Sequence, residues 1–240
     1  ILNQQGESTD ELYGRATRAF SAGNYQEALA AITRLCQQQP DNIRYQLLRG
    51  DVSFAAGEMD DCIAAFDAVV RNQPALGPRL WQRGLALYYA GRFAAGARQF
   101  ETHQTVNSQD VENAVWHLLC AARLADVEQA RRKLIPISRD PRVPMPEIYE
   151  MFAGRLSPED VIKAARQRPG NVPRNGVEYK LQLYHAYLYI GLFHEMQGHA
   201  EASIDAMKQA EKFNPLGKTN FMGQVARVHL QLRSSASQNQ

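Results

Sequence analysis

The chain has 240 residues, of which 45% are hydrophobic and 22% charged, with a formal net charge of +2, a balance ordinary for a globular protein that implies neither nucleic acid nor an anionic membrane surface as partner. Its longest apolar run, Ala186 to Phe193, is far short of a membrane span. Three scattered cysteines, Cys36, Cys62 and Cys120, supply neither a disulfide framework nor the paired CxxC spacing of a zinc site.

Ile1 to Ser8 is polar and Gln-rich and reads as a tether over residues 1–8. Ile1 stands where an initiator Met would, so an upstream segment is expected, either a removed signal or anchor sequence or a trimmed end. Asp10 is the expected N-cap of a first helical hairpin, with Glu11 in its first turn and helices over Glu11–Ala22 and Tyr25–Gln38. A second hairpin is expected over Asn42–Asn72, and Pro78 suits the first turn of a third, RLWQRGLALYYAGRFAAGARQF, which turns at Gly91. These three fill residues 9–108.

Residue ladders tie them together. Gly23, Gly57 and Gly91 are 34 apart, as are Arg15, Arg49 and Arg83, and as are Phe20, Phe54 and Tyr88. Ala16, Gly50 and Gly84 are small enough to let two helices lie close; Ala28, Cys62 and Gly96 are their small counterparts on the second helix. Ile32, Phe66 and Phe100 fill the space between hairpins, and Pro40 and Pro74 stop the second helices, where the third hairpin has Ser108. The long side chains of the arginine ladder are expected to bond within the fold, with an anion-binding track as the competing role.

After Ser108 the pattern decays. A degenerate hairpin is expected over 109–137, carried by Val111, Val115, Leu118, Leu119, Ala130 and Leu134. An insert over 138–176 holds two short helices separated at Gly154, the second started by Ser157 with Pro158 and Asp160, and ends in the breaker-rich PGNVPRNG. Repeat spacing returns over 177–216: Gly191 and Gly198 are seven apart like Gly84 and Gly91, with Ser203, Met207 and Pro215 following in step. A closing amphipathic helix over 217–233, with Phe221, Val225, Val228 and Leu232 on one face, is expected to cover the end of the stack, and residues 234–240 to be disordered.

Two motifs suggest chemistry. HEMQGH, from His194 to His199, has one residue too many for HExxH, so its two histidines point about 140 degrees apart on a helix and cannot share a metal. GKT at Gly217 to Thr219 lacks the upstream glycine and strand of a phosphate loop; a turn with Thr219 as N-cap is the plainer account. No nucleophile elbow or paired-carboxylate signature appears, and no cofactor or metal is expected.

The 34-residue period and its ladders resemble the tetratricopeptide repeat, well over Asp10–Ser108 and Tyr184–Pro215 and weakly over Asp110–Leu134. That resemblance implies an all-α, right-handed helical-hairpin solenoid with a short-helix insert and a C-terminal capping helix, whose first helices line a concave groove. The groove trios are then Tyr13, Leu47 and Trp81; Thr17, Asp51 and Leu85; and Phe20, Phe54 and Tyr88. Core packing is the favoured role for the last trio, while Tyr13 and Trp81 stand evenly between packing and binding. The expected partner-binding groove is Tyr13, Thr17, Leu47, Asp51, Trp81, Leu85 and Tyr88, offered to a protein or peptide. The two-carboxylate clamp of the chaperone-binding subset is absent, its places being held by Tyr13, Thr17, Leu48, Pro78 and Gln82.

A fainter resemblance, carried by LWQRGLALYYAGR, Trp116, FAGRLSPEDVIKAA and YHAYLYIGLFHEMQG, is to bacterial envelope lipoproteins of the new lipoprotein I type. It implies a non-catalytic, dimeric adaptor for proteases and cell-wall hydrolases, extracytoplasmic and lipid-anchored upstream. Two other readings stay open: a self-associating assembly module, and an enzyme whose site lies near 141–176 and uses His117, Glu147 or His185.

Overall fold

The computed structural model describes residues 7–167 and 176–237, with side chains through 234; the expected polar tether up to residue 6, the breaker-rich loop up to residue 175 and the last three residues of the tail lie outside this range. The described residues form α1 (Thr9–Ala22), α2 (Tyr25–Gln38), α3 (Ile43–Ala56), α4 (Met59–Asn72), a 3₁₀ turn (Pro74–Arg79), α5 (Trp81–Tyr89), α6 (Phe93–Gln104), α7 (Val111–Leu124), α8 (Val127–Arg131), α9 (Met145–Phe152), α10 (Pro158–Arg166), α11 (Val177–Met196), α12 (Ala200–Phe213) and α13 (Phe221–Ser237). Consecutive helices pack on one another, which makes the fold an all-α solenoid of helical hairpins.

One backbone device turns the four regular hairpins. Gly23, Gly57, Gly91 and Gly198 all have φ between 73 and 87°, a left-handed conformation that side chains with a Cβ disfavour. Each glycine N–H donates to the carbonyl three residues back, and the following N–H reaches one five back, as in Gly57 to Phe54 (3.0 Å) and Glu58 to Ser53 (2.9 Å). The glycine ladder is therefore a ladder of helix stops.

The small-residue ladder sets how close the paired helices come. A Cβ added at Gly84 would lie 2.5 Å from the Phe100 ring, and one at Gly50 2.6 Å from Phe66. Both rings are fully buried, so the ring of the second helix rests directly on the backbone of the first. In the later repeat the same contact is made by Gly191 and Met207, where the added atom would lie 2.9 Å from the methyl carbon.

Several local expectations need correction. Ser8, not Asp10, caps α1, because it forms a reciprocal capping box with Glu11. Pro78 lies inside the 3₁₀ turn, and α5 begins three residues later at Trp81. That turn is pinned from α6 by Gln99 donating to the Gly77 carbonyl (2.9 Å) and by His103 Nδ1 at 2.8 Å from the Pro78 carbonyl. Asn220, not Thr219, starts α13, its Oδ1 accepting from the Gly223 N–H at 3.0 Å. Helix persists through Ser237, where disorder was expected from residue 234.

The degenerate hairpin has a full first helix, α7, but its second, α8, stops after five residues, and Pro136 follows in extended chain. Ser157 caps α10 with Asp160 returning the bond, as the spacing requires. Arg142 joins the insert to α7, bonding Asp110 (2.7 Å), Glu112 (2.6 Å) and Asp140 (2.6 Å). Finally, α13 does not merely close the stack: it packs on α12 and also reaches back to α3.

Replacing Gly84 with Ala should cost roughly 1–3 kcal/mol from overpacking, against a helix-propensity gain of about 1 kcal/mol. A lower urea midpoint with unchanged helix content is the expected result, and an unchanged midpoint would show that the ring can yield.

Candidate functional site: the face lined by the first helices

The face of α3 and α5 expected to bind a partner is engaged by the chain itself. Phe221, at the start of α13, stacks on Phe54 with ring centroids 4.2 Å apart and meets Trp81 edge-on at 5.4 Å. Polar residues of the following turns then address helix ends. Arg227 donates to the Ala55 carbonyl, Gln231 to that of Ala56 at 3.1 Å, and Lys218 to that of Ala22 at 2.8 Å. These carbonyls belong to the last turns of α1 and α3, where cations and donors are favoured. Arg227 also lies over the Tyr25 ring (4.6 Å), and the Tyr25 hydroxyl donates to Gln224 (3.1 Å).

Farther along, α13 meets α5, α11 and α12 through a buried polar cluster. Glu195 accepts from the Tyr88 hydroxyl (2.6 Å), Arg123 (3.1 Å) and Arg233 (2.6 Å). Burial alone would raise the Glu195 pKa, but surrounding charges and this hydrogen bond hold it below the usual value. Burial also drives the His229 pKa down to about 4, so the ring is neutral at pH 7 and the two arginines carry the charge that balances Glu195. His229 sits 3.2 Å from both the Tyr89 hydroxyl and Ser203 Oγ.

The seven expected groove residues divide by exposure. Tyr13 is half-buried, its ring beside Tyr45 (5.8 Å) and beneath the Arg44 guanidinium (4.2 Å). Leu47 and Trp81 are partly exposed, and Thr17 donates back to the Tyr13 and Gly14 carbonyls of its own helix. Leu85 and Tyr88, each 1% exposed, are closed to the open face of the groove. Tyr88 is buried because Trp116, Phe93 and Tyr89 all meet its ring edge-on. Asp51 is half-buried and makes no hydrogen bond or ion pair among the described residues, and burial lifts its pKa to about 7.

The arginine ladder is engaged within the fold. Arg15 pairs with Glu7 (3.1 Å), Arg49 with Asp61 (2.5 Å) and Arg83 with Asp67 (2.6 Å). His117, Glu147 and His185 are not joined by hydrogen bonds among the described residues; His117 pairs instead with Glu101 at 3.3 Å. No group of three or more His, Cys, Asp or Glu among the described residues is placed to hold a metal, and no described helix is long and apolar enough to cross a membrane.

Sequence reasoning missed the inward polar residues of α13. Gln224, Arg227 and Gln231 recur at intervals of three and four, a second stripe beside the apolar one, and that spacing was the available signal.

A family model described as tetratricopeptide repeat matches residues 13–76. The chain is 26% identical over 95 residues, 40% of its length, to Protein SGT1 homolog of Bos taurus, and spans 28% of that relative. A solved tetratricopeptide repeat protein from Parabacteroides merdae superposes with a TM-score of 0.54 at 17% identity, covering 94% of this chain and 84% of the other. The MamA protein superposes with a TM-score of 0.49 at 15% identity, covering 87% and 93% respectively.

Asp51 yields a test with a defined sign. Its folded pKa is about 7 against the ordinary 3.8, so the carboxyl costs nothing while protonated and opposes folding progressively from pH 4 to pH 7. Asp51→Asn should therefore stabilise the protein by roughly 2 kcal/mol at pH 8. In thermal melts the gain should vanish near pH 4.

Proposed function

The chain being a tetratricopeptide-repeat protein, we propose that it is a non-catalytic scaffold whose groove binds a partner as an amphipathic helix or extended peptide. The supporting observation is α13 itself: the face of α3 and α5 already accepts an amphipathic helix, by aromatic stacking at Phe54 and Trp81 and by donors set against helix-end carbonyls. A partner helix would use the same two features. Tyr13, Thr17, Leu47, Asp51 and Trp81 are the groove residues that keep exposed surface, and they are assigned to the partner. Leu85 and Tyr88 are not.

The finer reading places this scaffold in the bacterial cell envelope, behind a lipid anchor, as a homodimeric adaptor for proteases or cell-wall hydrolases. It rests on the sequence resemblance through LWQRGLALYYAGR and the FAGRLSPEDVIKAA insert. Membrane fractionation of the native gene product tests the compartment, and light scattering tests the dimer.

For the groove, a tagged chain is used to isolate partners from the native organism, and the affinity of an identified partner is then measured. Tyr13→Ala with Trp81→Ala should weaken it roughly tenfold or more, since buried aromatic anchors each carry on the order of 1 kcal/mol or above. Unchanged affinity in a double variant of native helix content would remove the groove from the mechanism.

A further inference from the structure

A pocket of about 210 Å³ opens where α5, α6, α7 and the start of α13 meet, lined by Trp81, Leu85, Phe100, Trp116 and Met222 on its apolar side and by His103, Asn107, Asp110, Glu112 and Asn113 on its polar side. We propose that this pocket receives one basic side chain, Lys or Arg, of the bound partner; the inference rests on the groove reading above and adds the chemistry of its anchor.

Charge is the first reason. Asp110, Glu112 and Asp140 surround a single guanidinium, that of Arg142, which bonds all three. Three carboxylates against one cation leave an excess of negative charge at the pocket, and Tyr189, whose hydroxyl donates to Glu112 (2.8 Å), adds no positive charge. Asp110 and Glu112, the two of these carboxylates that line the pocket, keep 17% and 16% of their side-chain surface.

The walls are the second reason. Two indoles and a phenyl ring suit an aliphatic stem ending in a cation, by apolar contact along the stem and cation–π attraction at its head. The third reason is independent of both. Asn113, 3% exposed, donates through Nδ2 to the Phe100 carbonyl (3.1 Å) and to Gln104 (3.0 Å), while its buried Oδ1 has no partner. A buried acceptor without a donor calls for one, and an ammonium or guanidinium carries only donors. Local adjustment of a few side chains would bring the two into reach.

The sequence supplies a built-in reporter, because the chain has two tryptophans and both line this pocket. The whole protein is titrated with N-acetyl-lysine amide, N-acetyl-arginine amide and the neutral N-acetyl-norleucine amide while tryptophan emission is followed. Saturable change with either cation, at an affinity roughly fivefold or more above norleucine, is expected. Glu112→Gln should erase that preference. Should this variant misfold, raising salt on the native protein must shrink the preference instead. Equal responses to all three probes, or none, would overturn the pocket's assignment. In that case a groove still weakened by the Tyr13 and Trp81 replacements would stand without it.

Discussion

The structure depends on rings resting against bare backbone. Phe66 on Gly50 and Phe100 on Gly84 leave no room for even one carbon between the paired helices, and Met207 on Gly191 repeats the arrangement after the insert. A stack of such units presents its first helices together on one face. Aromatic side chains on that face, Tyr13, Phe54 and Trp81, are then brought within reach of a common occupant although they are far apart in sequence.

That face does not remain bare, and this changes the energetics of the array. A simple solenoid is stabilised by neighbours alone, so each end can fray without the other responding. Here Lys218, in the turn before α13, reaches the end of α1, and α13 takes Arg227 and Gln231 to the end of α3 and Arg233 to Glu195 on α11. Early and late repeats are thereby joined through one element. Contacts between residues some 170 to 200 positions apart make unfolding of the first repeats felt by the last.

The repeats were legible because their constraints are local and recur. A glycine that must adopt positive φ, and a small residue that must admit a ring, leave the same mark every 34 residues. Shorter-range choices were harder to read: Ser8 beat Asp10 as cap because its partner Glu11 lies three residues on, and Pro78 was absorbed in a 3₁₀ turn that α6 holds from outside. The destination of α13 left only one local mark, the polar stripe of Gln224, Arg227 and Gln231. Its apolar stripe fits the end of a stack as well as the face of one, and only Phe221 meeting Phe54 in space decides between them. The candidate site inherited that blind spot. Leu85 and Tyr88 share the spacing of the open positions, yet both are buried, Tyr88 beneath Phe93 of α6 and Trp116 of α7.

The same fold-back explains why a pocket exists beside Trp81. Two of its walls belong to consecutive repeats, α5 and α7, but Met222 is present only because α13 crosses the face at that point. Remove α13 and the cavity becomes an open notch; keep it and a side chain can be enclosed. Whatever fills the pocket therefore favours the arrangement in which α13 stays seated, by the reciprocity that binds any ligand to the conformation that holds it. An occupant of the main face that competes with Phe221 pushes the opposite way. The two sites are coupled through one helix, and the sign of the coupling depends on whether a partner lies beside α13 or replaces it.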